Sequence, residues 1–175
     1  GQFVHFLNAD DRYASPETLA LLLPKLDSGC VCHAQITYRE RNGRERILGN
    51  AFSREAELKK SSMPQPAMFV PLKFYEHTGG FDLSYQVASD YDMVLRLTKN
   101  FPTQFIEQIT TKMNAGGISD QKALSGFFES MMISRRYGRT VARSKLDYSL
   151  KCAKFIFNLL PGVSSLRALR RFLLK

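Results

Sequence analysis

Residues 3–11 have the sequence FVHFLNADD, and this stretch says most about the fold. Its first five residues, Phe3 to Leu7, are rich in β-formers and predict a strand that is buried on both faces. Two adjacent carboxylates, Asp10 and Asp11, follow at the carboxyl end of that strand, where open α/β sheets bind ligands. Such carboxylates are oxygen ligands suited to Mg²⁺ or Mn²⁺. An acidic turn leading into a helix explains the same residues without a ligand, so both interpretations stay open.

The residues after this stretch alternate between predicted helices and strands. Ser15 is a candidate N-cap for a helix that begins at Pro16 and has an apolar face over residues 18–26. Three prolines within residues 63–72 predict that any strand there is short or at a sheet edge. The other predicted elements are strands over residues 30–38 and 103–110, a hairpin turn at Asn42-Gly43 with a return strand at 47–48, a turn at Gly79-Gly80 and a helix over 90–100.

A second candidate site is Asp90, at the start of the predicted helix over residues 90–100. Backbone N–H groups at a helix N-terminus would keep this carboxylate ionised. An ionised carboxylate in a fixed position can act as a general base. The structural alternative is that Asp90 caps the helix while Asp92 pairs with Arg96 one turn later.

Five short motifs occur together in a fixed order in the first 120 residues. They are the stretch 3–11, the loop MPQPAMF at 63–69, GGFD at 79–82, the acidic residues and LRL of the helix 90–97, and GGIS at 116–119. In this order they resemble the second half of an inverting family-two glycosyltransferase of the GT-A fold. The resemblance implies an α/β protein with a GT-A type mixed sheet flanked by helices. The nucleotide-binding βα units that begin this fold are missing before Gly1, so the sequence is expected to start inside the domain.

The resemblance also implies a metal site. Asp10 and Asp11 fall on the D-x-D motif, which holds a divalent cation, Mg²⁺ or Mn²⁺, and the diphosphate of a nucleotide-sugar donor. Asn8 occupies the first position of that motif, which is often acidic, so the metal is expected on Asp10 and Asp11.

The catalytic base of the family falls on Asp90. Ser89 stands where the family usually has Glu, which changes the surroundings of the base but not the base itself. Gln65 matches the loop that lines the acceptor side, with Pro64 in place of a frequent His, and Asp92 is expected on the same side.

The activity implied is transfer of a sugar with inversion from a nucleotide-sugar donor to a saccharide or lipid-linked acceptor, in surface polysaccharide or lipopolysaccharide biosynthesis. The chain contains no Trp and so lacks the Gln-x-x-Arg-Trp motif of processive members, which favours addition of a single sugar. The alternative, from another class, is an inactive fragment that acts as a membrane-binding or partner-binding module.

The net charge of +9 lies almost entirely in the last third of the chain. Residues 1–120 carry 13 Lys and Arg against 14 Asp and Glu, whereas residues 121–175 carry 12 against 2. We therefore divide the chain into a catalytic portion, 1–120, and a basic helical tail, 121–175, broken at Gly138 and at Pro161-Gly162. The tail is expected to bind an anionic membrane, and the alternative is a packed helix with a solvated basic edge. The residues predicted at the membrane are Phe155, Ile156, Leu166, Leu169 and Phe172, with Arg167, Arg170 and Arg171 at the headgroups.

Composition excludes several other classes of protein. With 44% hydrophobic and 23% charged residues the chain is globular, and no apolar run reaches the roughly 18 residues of a membrane span. Three cysteines in no disulfide pattern indicate a reducing compartment, so we expect a cytoplasmic protein, peripheral on the inner face of the cytoplasmic membrane. The CVCH sequence at 30–33 has too few further ligands for structural zinc, and no nucleic-acid-binding motif is present.

Overall fold

The computed structural model describes residues 1–159, apart from the side chains of residues 118 and 159. These residues form a mixed α/β fold in which a curled mixed sheet of six strands is flanked by helices, which confirms the predicted class. The strands are β1 (Phe3–Val4), β2 (Arg12–Tyr13), β3 (Val31–Arg39), β4 (Glu45–Leu48), β5 (Met68–Pro71) and β6 (Thr103–Asn114). The α-helices are α1 (Thr18–Leu22), α2 (Arg54–Lys59), α3 (Leu72–Thr78), α4 (Ser89–Asn100), α5 (Ile118–Gln121), α6 (Ala123–Arg136) and α7 (Val141–Leu159).

The centre of the sheet is β3, which pairs with three other strands. It is antiparallel to β4 and β5 and parallel to β6, and the strand order is β1-β5-β3-β6-β2 with β4 beside β3. The predicted strand over residues 30–38 is therefore confirmed, as is the hairpin that follows it. In the hairpin turn Gly43 has a φ of 79°, and the side-chain oxygen of Asn42 accepts a hydrogen bond from the backbone N–H of Arg44.

Helices cover both faces of the sheet because alternate residues of β3 point to opposite sides. On one face, Val31 lies in a cluster with residues of β5, α3 and α4. On the other face, Cys32, Ala34 and Ile36 pack with Leu22 of α1. Both clusters consist of fully or nearly fully buried apolar side chains, and the burial of these side chains is the main contribution to the stability of the sheet.

The first strand is shorter than predicted. Only Phe3–Val4 pairs with β5, and the side chains of Phe6 and Leu7 are exposed, so the prediction of a strand over residues 3–7 buried on both faces is wrong. Beyond Val4 the contact with β5 is made by a side chain: the His5 ring donates from Nδ1 to Met68 O at 3.0 Å.

The first helix also differs from its prediction. It begins at Thr18 rather than Pro16. The side chain of Ser15 was expected to accept a hydrogen bond from the helix backbone, but instead the backbone N–H of Ser15 donates to Thr18 Oγ1. After Leu22 the chain continues as a 3₁₀ turn, Leu23–Lys25, which contains Pro24. Proline cannot donate the next hydrogen bond of an α-helix, so the apolar face ends early.

The segment with three prolines contains β5, which was predicted to be short or to lie at a sheet edge. The strand is short, four residues, but it lies between β1 and β3 rather than at the edge of the sheet. The helix over residues 90–100 is confirmed as α4, and the strand over 103–110 is confirmed and extended as β6.

Residues 123–159 form a hairpin of two long helices that packs on α4 through Ile133 of α6. Its two helices are joined where predicted, at Gly138, which has a φ of 107°. Phe127 of α6 contacts Phe155 of α7, with ring centroids 6.0 Å apart. The predicted break at Pro161-Gly162 and the residues from Leu166 onward lie outside the described residues. Within the described residues, none of the helices combines the length and the apolar character needed to cross a membrane.

Candidate functional site

The proposed base, Asp90, lies in the first turn of α4 at the meeting point of two clefts. Its Oδ1 accepts a hydrogen bond from the backbone N–H of Tyr91 at 2.7 Å. The helix begins here without a side-chain cap on Ala88, its N-cap residue. A carboxylate in this position is fixed in direction by the helix backbone and is open to solvent on its outer side.

The first cleft, which we call the aromatic cleft, is a narrow space of about 20 Å³ that is lined by both Asp90 and Gln65. Gln65 starts a 3₁₀ turn, Gln65–Ala67, immediately before β5. Three aromatic rings surround the cleft: Phe6 lies 5.5 Å from Tyr75 and 5.3 Å from Phe81, centroid to centroid. Residues from the segment after β1, from the Gln65 loop and from the GGFD turn therefore share one cleft with the start of α4.

The second cleft, which we call the basic cleft, opens on the other side of Asp90 between α4 and the α6–α7 hairpin. Its volume is about 450 Å³. Gly126 lets α6 approach the start of α4, since a Cβ at this position would lie 3.0 Å from Val87 Cγ1. Three lysines, Lys60, Lys151 and Lys154, and three serines, Ser61, Ser119 and Ser130, line the basic cleft. The rest of its wall is formed by Val87, Ala88, Asp90, Tyr91, Ala123, Gly126 and Phe127.

The environment of Asp90 raises its pKa above the ordinary value. Protein atoms surround the carboxyl on most sides although its outer side is exposed, and this desolvation outweighs the backbone hydrogen bonds that lower the pKa. The expected contribution of the backbone N–H groups is present and lowers the pKa, but desolvation is the larger effect. A raised pKa makes the ionised form a stronger proton acceptor.

Asp10 and Asp11 lie in the turn between β1 and β2, and neither lines the two clefts of Asp90. Asp10 is exposed, whereas Asp11 is buried, with Oδ2 accepting from Asn8 Nδ2 at 3.0 Å. The backbone N–H of Asp11 also donates to Asn8 O. The hydrogen-bonded acidic turn is thus present, and the metal interpretation stays a prediction.

The chemistry of this pair fits a divalent cation. Asp11 Oδ1 is buried and has no hydrogen-bond partner among residues 1–159. Burial raises the pKa of Asp11, the Asn8 hydrogen bond opposes this, and the charge of Asp10 adds to the increase. A cation would satisfy the unpaired oxygen and offset the repulsion. No group of three or more potential metal ligands is found in the described part of the chain. A cation held by these two carboxylates would take its other ligands from a bound diphosphate or from water.

Asp92 is completely buried and forms the predicted pair with Arg96, whose Nε donates to Oδ2 at 2.7 Å. Tyr137 donates to the other oxygen at 3.1 Å. Arg96 also donates to the carbonyls of Thr78 and Gly80, so Asp92 and Arg96 attach the GGFD turn to α4. The role of Asp92 on the acceptor side stays a prediction.

Two glutamates support the site and were not identified from the sequence. The carboxylate of Glu129, in α6, accepts hydrogen bonds from three consecutive backbone N–H groups, those of residues 86–88, at 3.0, 2.9 and 2.8 Å. The buried Glu57 accepts from the backbone and hydroxyl of Ser62 and the backbone of Met63. Glu57 O in turn accepts from the hydroxyl of Tyr91 at 2.8 Å. These contacts hold the start of α4 and the loop before Gln65 in place.

The CVCH segment forms part of β3, as its alternation predicted. Cys32 is buried on one face and His33 on the other, so the three potential ligands do not face one point. Burial lowers the pKa of His33 to about 4, and its ring nitrogens have no hydrogen-bond partner among residues 1–159.

Comparison with known proteins does not identify a family. The sequence matches no model of a protein family and no curated protein. A functional assignment therefore depends on the motifs of the sequence and on the geometry of the two clefts.

Proposed function

We propose that the chain is part of an inverting glycosyltransferase of the GT-A type, with Asp90 as the catalytic base. The observation that carries the proposal is the aromatic cleft, where Asp90, Gln65 and the GGFD turn, three separate motifs of the sequence, line the same space. A mixed sheet with helices on both faces agrees with this fold type. A hydrogen-bonded, partly desolvated carboxylate at a helix start agrees with the role of a base.

The mechanism is a direct displacement. Asp90 accepts the proton of an acceptor hydroxyl as the hydroxyl oxygen forms a bond to the anomeric carbon of the donor sugar. The bond from that carbon to the diphosphate breaks on the opposite face, so the configuration inverts. Gln65 lines the same narrow space as the base. The family resemblance assigns its amide to the hydroxyl groups of the acceptor.

Asp10 and Asp11 would hold Mg²⁺ or Mn²⁺. When bound, such an ion supplies Lewis-acid stabilisation to the leaving diphosphate of a nucleotide-sugar. The chain's own contribution is the buried, unpaired Oδ1 of Asp11, which favours a cation in this turn.

The acceptor is proposed to be a saccharide, free or lipid-linked, in surface polysaccharide or lipopolysaccharide synthesis at the inner face of the cytoplasmic membrane. The second candidate function, membrane binding without catalysis, is favoured by one observation. The α6–α7 hairpin exposes apolar side chains next to its basic residues: Leu124, Phe128, Met132, Val141, Leu146, Leu150, Ile156 and Phe157. Phe155, predicted at the membrane, instead packs against Phe127 within the hairpin.

The test is Asp90→Asn in the intact protein. Asn keeps the size of the side chain but cannot take the proton, and a general base contributes typically about 10²–10⁴-fold in rate. We expect sugar transfer to fall by that factor while the affinity for a nucleoside diphosphate changes little. Glu76→Gln, an exposed carboxylate of α3 outside both clefts, is the control. Transfer at near-normal rate in the Asp90 variant would exclude Asp90 as the base.

A further inference from the structure

The basic cleft carries more positive charge than its surroundings neutralise. Three lysines line it, and Asp90 is the single carboxylate among the described residues of its wall. Within residues 1–159, none of Lys60, Lys151 and Lys154 has a salt bridge with a carboxylate. The empty space that these residues line is about 450 Å³, enough for a small ligand.

Lys151 shows that this arrangement has an energetic cost. Its side chain is half-buried, and desolvation lowers its pKa. Asp147 raises the pKa, whereas Lys60 and Arg139 lower it further by repulsion. Desolvated like charges destabilise a fold unless an anion compensates them. An exposed surface lysine has no such cost, so Lys151 differs from a lysine on a solvated edge, whereas Lys60 and Lys154 are exposed.

The rest of the wall favours a phosphate ester over a simple anion. Ser119 and Ser61 supply hydroxyl groups, and Val87, Ala123 and Phe127 supply apolar surface. Phosphate oxygens accept hydrogen bonds from ammonium and hydroxyl groups, while the apolar surface contacts the carbon portion of a ligand.

We infer that the basic cleft binds a phosphate or diphosphate group carried by the acceptor, through Lys60, Lys151 and Lys154. The inference rests on the proposed function, because Asp90 belongs to the wall of the same cleft and would take the proton of a hydroxyl on that acceptor. The phosphate group is a handle that positions the acceptor and does not react. Its source is either a phosphorylated saccharide or a lipid-linked phosphate, which share this chemistry.

The experiment is a binding titration with two probes, glucose 1-phosphate and dodecyl phosphate below its micellar concentration. Each is added to the intact protein, followed by calorimetry. We expect at least one probe to bind, with an affinity that falls as salt rises from 50 to 500 mM, since screening weakens contacts between charges. Dodecyl phosphate binding more tightly supports a lipid-linked acceptor, and equal affinities support a phosphorylated saccharide. Binding of neither probe overturns the inference.

The variant Lys60→Gln/Lys154→Gln identifies the site, because both side chains are exposed and their replacement leaves the core unchanged. Removing two charge-assisted contacts should weaken binding by about 10-fold or more. The control is Lys145→Gln, an exposed lysine of the same helix α7 that does not line the cleft. It should change the affinity less than about twofold, and equal losses in both variants would refute a specific site.

Two further measurements separate this inference from the proposed function. Asp90→Asn should still bind the probe. If this variant loses sugar transfer but still binds the probe, the inference of a phosphate site is retained. Saturating nucleoside diphosphate should not displace the probe. Displacement would assign the lysines to the donor instead and overturn the acceptor site.

Discussion

Replacement of Glu129 tests whether a residue of α6 holds the start of helix α4. Helix α4 begins at Ser89 without a side-chain cap of its own, and Glu129 accepts hydrogen bonds from the three N–H groups just before it. We predict that Glu129→Ala destabilises the protein by about 2–4 kcal/mol. Each hydrogen bond to a charged group contributes about 1.5–3 kcal/mol, and we take less than the sum because water reaches the half-buried carboxylate and replaces part of the loss.

The milder variant Glu129→Gln separates charge from shape. Its amide keeps one acceptor oxygen but loses the other and the negative charge, so we expect a loss of about 1–2 kcal/mol. Burial alone would raise the pKa of Glu129, but the three backbone donors outweigh it and lower the pKa below 4.5. The stabilisation from ionised Glu129 is therefore present above pH 4.5 and is lost as the pH falls through the lowered pKa. The difference between wild type and Glu129→Gln should shrink over that range.

The measurement is urea unfolding followed by circular dichroism at 222 nm, since the chain has no Trp for fluorescence. Glu76→Ala, which removes an exposed glutamate from α3, is the control and should change stability by less than about 0.5 kcal/mol. If Glu129→Ala is as stable as this control, or if its deficit does not depend on pH, Glu129 does not hold the start of α4.

Three further predictions concern the metal turn, the core and the tail. Mn²⁺ with a nucleoside diphosphate should raise the melting temperature of the intact protein, and a chelator should reverse this increase. Asp11→Asn should abolish the increase, and an increase that persists in this variant would place the metal elsewhere. Burial lowers the pKa of His33 to about 4 from 6.5, so below pH 6.5 the unfolded chain binds a proton that the folded chain does not, and stability falls as the pH drops. Between pH 7 and 4.5 this amounts to about 2 kcal/mol, which His33→Phe should lack in urea unfolding at the two pH values; an equal acid loss in both proteins would contradict it. Changing Arg167, Arg170 and Arg171 to Glu, in the part of the tail outside the described residues, should move the protein from phosphatidylglycerol vesicles to the supernatant without unfolding it; sedimentation that is unchanged would favour a packed helix.

Elements defined by local pattern could be predicted from the sequence. Strand β3 and its hairpin follow from alternation and from Asn42-Gly43, and α4 follows from its apolar spacing. Gln65 and Asp90, which the family resemblance assigns to one site, both line the aromatic cleft, while their roles stay predictions.

Features that depend on a distant partner could not be predicted. Strand β1 pairs with β5, which is more than 60 residues away, so the residues of β1 alone do not show where the pairing ends. The direction of the Asp90 pKa depends on burial by surrounding protein atoms, which no local pattern encodes. Likewise, Glu129 accepts hydrogen bonds from backbone N–H groups 41 to 43 positions earlier. Every residue except proline has such a group, so the amino-acid types at those positions do not indicate the contact.

The parallel pairing of β3 with β6 has a consequence for how the chain folds. Val31 pairs with Thr103, so about 70 residues must be made and brought back before these two strands can meet. Closing a loop of that length costs roughly 4 kcal/mol of chain entropy before any pairing energy is gained. We therefore expect the β3–β4 hairpin and the α6–α7 hairpin, whose contacts are local, to form early, and the central sheet to form late and slowly. During synthesis, the edge of β3 that pairs with β6 stays unpaired until residue 114 has left the ribosome, and chaperones have this interval in which to bind it.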